Sequence, residues 1–354
     1  MPYQREYKTR IPIAVIGAGS HCYRNVLPVL NYLPVELRAV CNPTEEKGKI
    51  TAKQYGCAYY SSSEALYKNE SDVAAVFIIV SPALHPVLVK EALAAGKHVW
   101  VEKPVALRAY QVEDMISARG DRVVVVAHKK AFMPGAVKAK EIINSKKYGD
   151  LKSVLAVYPM TIPGNGEEIL EKQEAPKWLL NGVHPLSFLI EMGGRVKEVC
   201  AHTNRQGYGN VILTFENDIM GSLHLASGPQ PSVERYELFG ETWQISIYDQ
   251  RVELRRGIPF DYAGATTFAP EGDDSGTIVW NASNCLATLE NKALFTQGFY
   301  NESKYFCDCI LEGKRPLPGS AASIGTGSLE QALEIMKVYE AALCSHGKPV
   351  RLGT

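Results

Sequence analysis

Residues 11–16 read IPIAVI, an uninterrupted apolar run of the kind expected of a strand buried on both faces. A glycine-bearing turn follows, then a helix-like stretch to about Leu33. Residues 35–40 read as the next strand and 44–55 as a helix. Residues 74–80 (AAVFIIV) are rich in β-branched side chains and predict a strand. Residues 85–95 form a helical pattern that Gly96 is placed to cap. Strand 98–101, helix 111–118 and strand 122–126 (RVVVV) complete the series. Strand–helix alternation of this kind predicts a parallel sheet covered by helices.

Past residue 200 the period changes to two. Val211, Leu213 and Phe215 alternate with polar or small neighbours, Glu216-Asn217-Asp218 offers a turn, and residues 220–225 return. Tyr236 and Leu238, then Trp243, Ile245 and Ile247, then Val252 and Leu254 repeat the pattern, the signature of antiparallel strands with one buried face. Residues 162–176 (IPGNGEEILEKQEAP) are polar and glycine-bearing, and read as a loop near the site. At 354 residues the chain exceeds the roughly 250 at which single cores stop growing, so two domains are expected.

Charge changes the picture by exclusion. Lysine plus arginine and aspartate plus glutamate both number 38, which gives no electrostatic reason for a nucleic acid or an anionic membrane as partner. No apolar run approaches the roughly 20 residues of a membrane span, and MPYQREYKTR lacks the apolar core of a signal peptide, so a cytoplasmic protein is expected. The eight cysteines read as reduced thiols. Cys307 and Cys309 stand too close for common zinc spacings, and no metal is expected.

Two stretches carry candidate chemistry. Gly17-Ala18-Gly19-Ser20-His21-Cys22 follows the first strand as a dinucleotide fingerprint does, with Cys22 in place of the third glycine. Gly17 suits the tight turn. Gly19 lets the backbone approach a pyrophosphate, and Ser20 and His21 open the helix whose free N–H groups would face it. The second strand ends at Asn42, where a carboxylate usually holds the adenosine ribose. Asparagine still bonds a hydroxyl but does not repel a 2′-phosphate, and Thr44 and Lys47 are near enough in sequence to reach one. NAD and NADP both remain open, with NADP slightly favoured. The second stretch is HVWVEKP, residues 98–104, where a buried strand ends in Glu102, Lys103 and Pro104. Ligands bind beyond the carboxyl ends of such strands.

Gly17-Ala18-Gly19, Ser81-Pro82 with His85, and Glu102-Lys103-Pro104 together resemble the glucose–fructose oxidoreductase/inositol dehydrogenase (Gfo/Idh/MocA) family. Phe132-Met133-Pro134, Tyr148-Gly149-Asp150-Leu151, Gly182-Val183-His184-Pro185, Tyr305-Phe306-Cys307-Asp308 and Gly313-Lys314-Arg315-Pro316 follow in the family's order, so the resemblance covers nearly the whole chain. It implies an α/β protein: a Rossmann NAD(P)-binding domain over residues 1–127 and an α+β domain with a large, mostly antiparallel open sheet over 128–354. That second domain would bind substrate and build a homodimer or homotetramer.

The resemblance also implies roles. Lys103 would stand at the reacting carbon as acid–base, with a pKa lowered by desolvation beside the nicotinamide, and Glu102 would position the nicotinamide ribose. Ser81 and His85 would lie on the cofactor side. His184 would assist Lys103, yet the family's acidic companions, four positions earlier and three later, are Leu180 and Ser187 here. Asn181 is the residue placed to orient it. Lys129, Trp178, Asn181 and His184 are the expected substrate contacts, with His128, Lys130 and Lys177 nearby and Ala131 where the family often has arginine. The activity implied is NAD(P)-dependent oxidation or reduction at a hydroxyl or ketone carbon of a sugar, cyclitol or sugar derivative. Redox-cycling glycosidases or lyases, and a silent cofactor-binding sensor, are the alternatives.

Overall fold

The computed structural model describes residues 6–226, 234–248, 250–257, 276–282, 292–317 and 324–353. Six parallel strands form the first sheet: β1 (Ile11–Ile16), β2 (Val35–Cys41), β3 (Ala58–Tyr60), β4 (Ala75–Ile78), β5 (His98–Val101) and β6 (Val124–Val126). Their order is β3-β2-β1-β4-β5-β6. The direction of winding reverses between β1 and β4, which opens the crevice where doubly wound folds bind ligands. The central strands are apolar throughout because both faces are covered: Ile13, Val15, Val76, Phe77, Val99 and Trp100 have no solvent exposure.

Several local expectations change. After the glycine turn the chain forms a π-helical turn, Cys22–Val26, and then only Leu27–Leu30 as α-helix. Pro28 explains the irregularity, since it has no N–H to offer the preceding turn. Strand β3 and helix Ser63–Asn69 went unread, being three and seven residues long with mixed burial. Within the stretch read as a polar loop, residues 166–172 form the helix Gly166–Lys172, anchored by buried Ile169 and Leu170.

Among the described residues the second sheet has nine strands in the order β14-β13-β12-β11-β7-β10-β9-β8-β15. They are β7 (Leu151–Pro159), β8 (Val196–Thr203), β9 (Gly209–Phe215), β10 (Met220–Ala226), β11 (Arg235–Gly240), β12 (Trp243–Tyr248), β13 (Arg251–Arg256), β14 (Gly276–Asn281) and β15 (Val350–Arg351). All neighbours are antiparallel except β7 and β10. Val211, Leu213 and Phe215 face inward without exposure, under helices Lys177–Gly193 and Leu329–Cys344, while Ile212 faces out. Among the described residues no helix is long and apolar enough to cross a membrane. The described cysteines form no disulfide, and Cys285 lies outside the described residues.

One late helix, Phe299–Leu311, returns to the first sheet. Phe306 is fully buried with its ring edge-on to Phe77, centroids 5.5 Å apart, and Phe77 stacks on Trp100 at 5.2 Å. The apolar core around β1, β4 and β5 is therefore completed by residues more than 200 positions later. Phe306→Ala is expected to cost about 3–5 kcal/mol, read as a lowered urea midpoint. An unchanged midpoint would show that this helix does not hold the first sheet.

Candidate active site

The glycine turn closes at the carboxyl end of β1. Gly17 has φ +97°, and a Cβ there would lie 2.1 Å from the carbonyl oxygen of Ile79 after β4, so only glycine fits. Gly19 differs: a Cβ added to it meets nothing within 4 Å. Among the described residues nothing demands glycine at that position, whereas the backbone approach of a pyrophosphate would. Ser20 is exposed beside it. This turn fits a dinucleotide.

Asn42 is 8% exposed and its amide is engaged: Oδ1 accepts from Ala18 N at 3.3 Å and Nδ2 donates to Thr44 O at 3.0 Å. It thus braces the glycine turn from the end of β2. Thr44 and Lys47 are exposed at the start of helix Glu45–Tyr55. Ser81 is exposed at the end of β4.

At the end of β5, Glu102 is nearly buried. Oε1 bonds His21 Nε2 at 2.7 Å, and Oε2 accepts from the Lys103 backbone N–H at 2.9 Å. Asn25 Nδ2 lies 3.1 Å from the other ring nitrogen of His21, which assigns the Nε2 proton to the Glu102 bond. The Lys103–Pro104 peptide is cis. His85, expected on the cofactor side, has no exposure and bonds Pro104 O through Nδ1 at 2.9 Å. It lies behind the turn and supports it. Burial holds its pKa below the ordinary 6.5.

Lys103 is half-buried, and its Nζ donates to Leu180 O at 2.9 Å. Leu180 belongs to helix Lys177–Gly193, which runs on through Pro185, where proline lacks the N–H that Asn181 O would otherwise accept. The Lys103 pKa is pulled down, chiefly by burial, although Glu102 and Glu302 oppose the shift.

A cavity of about 310 Å³ is walled by Lys129, Lys130, Asn181 and His184 together with Tyr158 and Glu234; Lys103 does not line it but bonds Leu180, the neighbour of Asn181. His184 is held neutral: burial first, then Lys103, Lys129 and Lys130, keep its pKa well below 6.5. Its Nδ1 has no partner among the described residues, so Asn181 does not orient it through that atom. Ser187 Oγ donates to the backbone oxygen of His184 at 2.7 Å and leaves the ring alone. His128 is buried and neutral, its pKa pushed down to about 3 by burial and Lys103.

Two expected contacts are not brought to the cavity. Trp178 has no exposure and its indole N–H donates to Tyr339 O at 3.4 Å, so it belongs to the packing between helices Lys177–Gly193 and Leu329–Cys344. Lys177 is exposed and does not line the cavity.

Sequence reading missed Tyr158, Glu234, Tyr236, Gln250 and Gln297, which reach the cavity from separate elements and share no motif. It also missed Glu302, and here a signal existed. Phe299, Glu302 and Phe306 stand at i, i+3 and i+7, so the carboxyl must lie on the buried face of its helix. Glu302 has no exposure, and neither carboxyl oxygen has a partner among the described residues. Burial first, then Glu102, raise its pKa well above 4.5, while Lys129 and Lys103 oppose the shift.

Comparison with known proteins agrees with this fold. Residues 11–128 match the model described as the oxidoreductase family, NAD-binding Rossmann fold, and residues 136–246 match the GFO/IDH/MocA C-terminal domain. A dTDP-3,4-didehydro-2,6-dideoxy-α-D-glucose 3-reductase of Streptomyces violaceoruber is 29% identical over 179 residues, 49% of this chain and 52% of that one, so the match spans about half of the relative. An oxidoreductase of Agrobacterium radiobacter, solved with NAD+, L-tartaric acid and magnesium, superposes with TM-score 0.74 at 17% identity, covering 97% of this chain and 98% of that one. A 3-ketoreductase of Actinomadura kijaniata, solved with TDP-benzene and NADP, gives TM-score 0.64 at 19% identity over 94% and 97% of the chains. At these identities the two structures speak for the fold.

Two measurements test the site. Gly17→Ala should lower the melting temperature, because its Cβ meets backbone. Gly19→Ala should keep the melting temperature and weaken dinucleotide binding; equal binding would remove the pyrophosphate from this turn. Glu302 has a raised folded-state pKa, so its stability contribution is full below the unfolded value and is lost as pH rises. Glu302→Gln lacks that loss. Its melting temperature should therefore gain on the parent as pH rises above the ordinary carboxylate value of 4.5, whereas a constant difference would mean the fold does not raise this pKa.

Proposed function

The chain belongs to the Gfo/Idh/MocA family of oxidoreductases, and on that premise we propose that it is an NAD(P)-dependent dehydrogenase or reductase acting on a hydroxyl or ketone carbon of a sugar, cyclitol or sugar derivative. The observation that carries this reading is Lys103: a desolvated amine at the carboxyl end of β5 that follows Glu102 and donates to Leu180 O, next to the cavity residue Asn181. The glycine turn at Gly17 and Gly19 holds the dinucleotide, and Glu102 and Ser81 line its path. Bound nicotinamide supplies the hydride chemistry. Neutral Lys103 takes the proton from the substrate hydroxyl; in the reverse direction its ammonium returns that proton to the carbonyl oxygen. His184, kept neutral, hydrogen-bonds the same oxygen. Asn42 places no carboxylate near the adenosine ribose, which favours NADP over NAD.

The outward face of the second sheet exposes Ile212, Met220, Tyr248 and Val279, which supports a homodimer or homotetramer through that face. The reduced cysteines support a cytoplasmic setting.

Purified protein mixed with NAD+ or NADP+ and a panel of sugars, cyclitols and sugar acids should form reduced nicotinamide with one pair. Lys103→Met should lose about 10²- to 10⁴-fold in turnover with cofactor affinity retained. Oxidation by the parent should rise with pH and level off below 10.5, since the amine must be neutral and its pKa is lowered. Full activity of the variant would remove Lys103 from the chemistry. Cofactor that stays bound without net reduction, while glycosides are cleaved, would favour the redox-cycling reading.

A further inference from the structure

Two lysines line the cavity, and their surroundings differ. Lys130 Nζ pairs with Glu234 Oε2 at 2.7 Å, and the other oxygen of that carboxylate accepts from the Tyr236 hydroxyl. Glu234 is thereby fully engaged. Lys129 Nζ forms no ion pair among the described residues: it donates to Gln297 Oε1 at 2.7 Å and lies 4.4 Å over the ring of Phe299.

The carboxyls that face Lys129 are committed elsewhere. Glu102 is bonded to His21 and to the Lys103 backbone. Glu302, from helix Phe299–Leu311, is buried without a partner and held in its neutral acid form. The cations that face it, Lys130 on its own helix and Lys103 from the end of β5, repel it. Burial first, then Lys130, lower its pKa to about 8. A half-buried ammonium is costly unless it is paired. Among the described residues Lys129 forms no ion pair, so the cavity presents an ammonium to which no carboxylate is bonded.

We propose that the substrate carries a carboxylate, seated on Lys129 with the amide donors of Gln297 and Asn181, while its reacting hydroxyl carbon faces Lys103. The substrate class is then a sugar acid or an acidic cyclitol. One cation without an ion pair among the described residues matches a monoanion; a phosphate dianion would ask for a second, and Lys130 is already paired. The cavity of about 310 Å³ also stands at the small end of ligand pockets, about 300–1,000 Å³, which suits one ring. This inference rests on the oxidoreductase reading of the same site.

The test compares glucuronate with glucose, and galacturonate with galactose, in the presence of NAD+ or NADP+. Turnover and thermal shift are both recorded. The acid of a pair should bind and react in preference to its neutral sugar. Lys129→Met should raise KM for the acid at least about thirty-fold, the lower end for truncating one member of a buried charge pair, with a smaller change in kcat and in KM for the neutral sugar. Lys129→Arg should restore the preference in part. In the parent the acid-to-neutral ratio of kcat/KM should fall as pH passes about 8, where free Lys129 discharges. Acids that raise the melting temperature more than neutral sugars, without reducing cofactor, would keep the carboxylate site and count against the oxidoreductase reading alone. Neutral sugars that bind as well as the acids, or acids that give no shift at all, would overturn the proposal.

Discussion

The Glu102 carboxylate ties the ends of two strands that are not neighbours. His21 follows β1 and Glu102 follows β5, with β4 between them in the sheet. A carboxylate this deeply buried is tolerated only when its oxygens are bonded. One oxygen meets the His21 ring and the other the backbone N–H of Lys103. The same group thus sets the start of the glycine-turn helix and the backbone from which Lys103 projects. His85 supports the next residue from behind by bonding Pro104 O. The glycine turn and the amine proposed as acid–base are held in fixed relation by one buried carboxylate.

Around that anchor the ionisable groups are sorted by burial. His128 and His184 are kept uncharged by desolvation and by the lysines beside them. Glu302 is kept protonated by desolvation and by Glu102. Lys103 and Lys129 are both lowered by burial, Lys129 to about 8. Leu180 and Ser187, which replace the carboxylates expected about His184, belong to this arrangement. Without them nothing offsets the lysines, and the imidazole stays neutral.

What could be read in the sequence was what is local. The apolar run of β1, the glycine turn and the Glu-Lys-Pro strand end are each written in consecutive residues, and the alternation of Val211, Leu213 and Phe215 gives the face of β9 directly. Asn181 and His184 stand three apart on one helix and reach the same cavity. What was not read depends on direction or on distant partners. Trp178 shares that helix but turns to Tyr339, and no spacing rule names Tyr339 as its neighbour. Asn42 was read as a ribose contact because its place in the strand order is right; only the fold reveals that Ala18 and Thr44 occupy its amide. Glu234 reaches Lys130 across more than a hundred residues and carries no local signal.

The return of helix Phe299–Leu311 to the first sheet bears on how the chain is made. The last strand of that sheet ends at Val126, yet Phe306 must arrive before Phe77 and Trp100 are covered. At ~5–20 residues per second, the ribosome needs roughly 9–36 s to travel that interval. During that time the nascent Rossmann sheet carries an open aromatic face. A chaperone able to shield apolar surface on a half-made sheet would find its client here, and an early stop codon anywhere before the helix would leave that face bare.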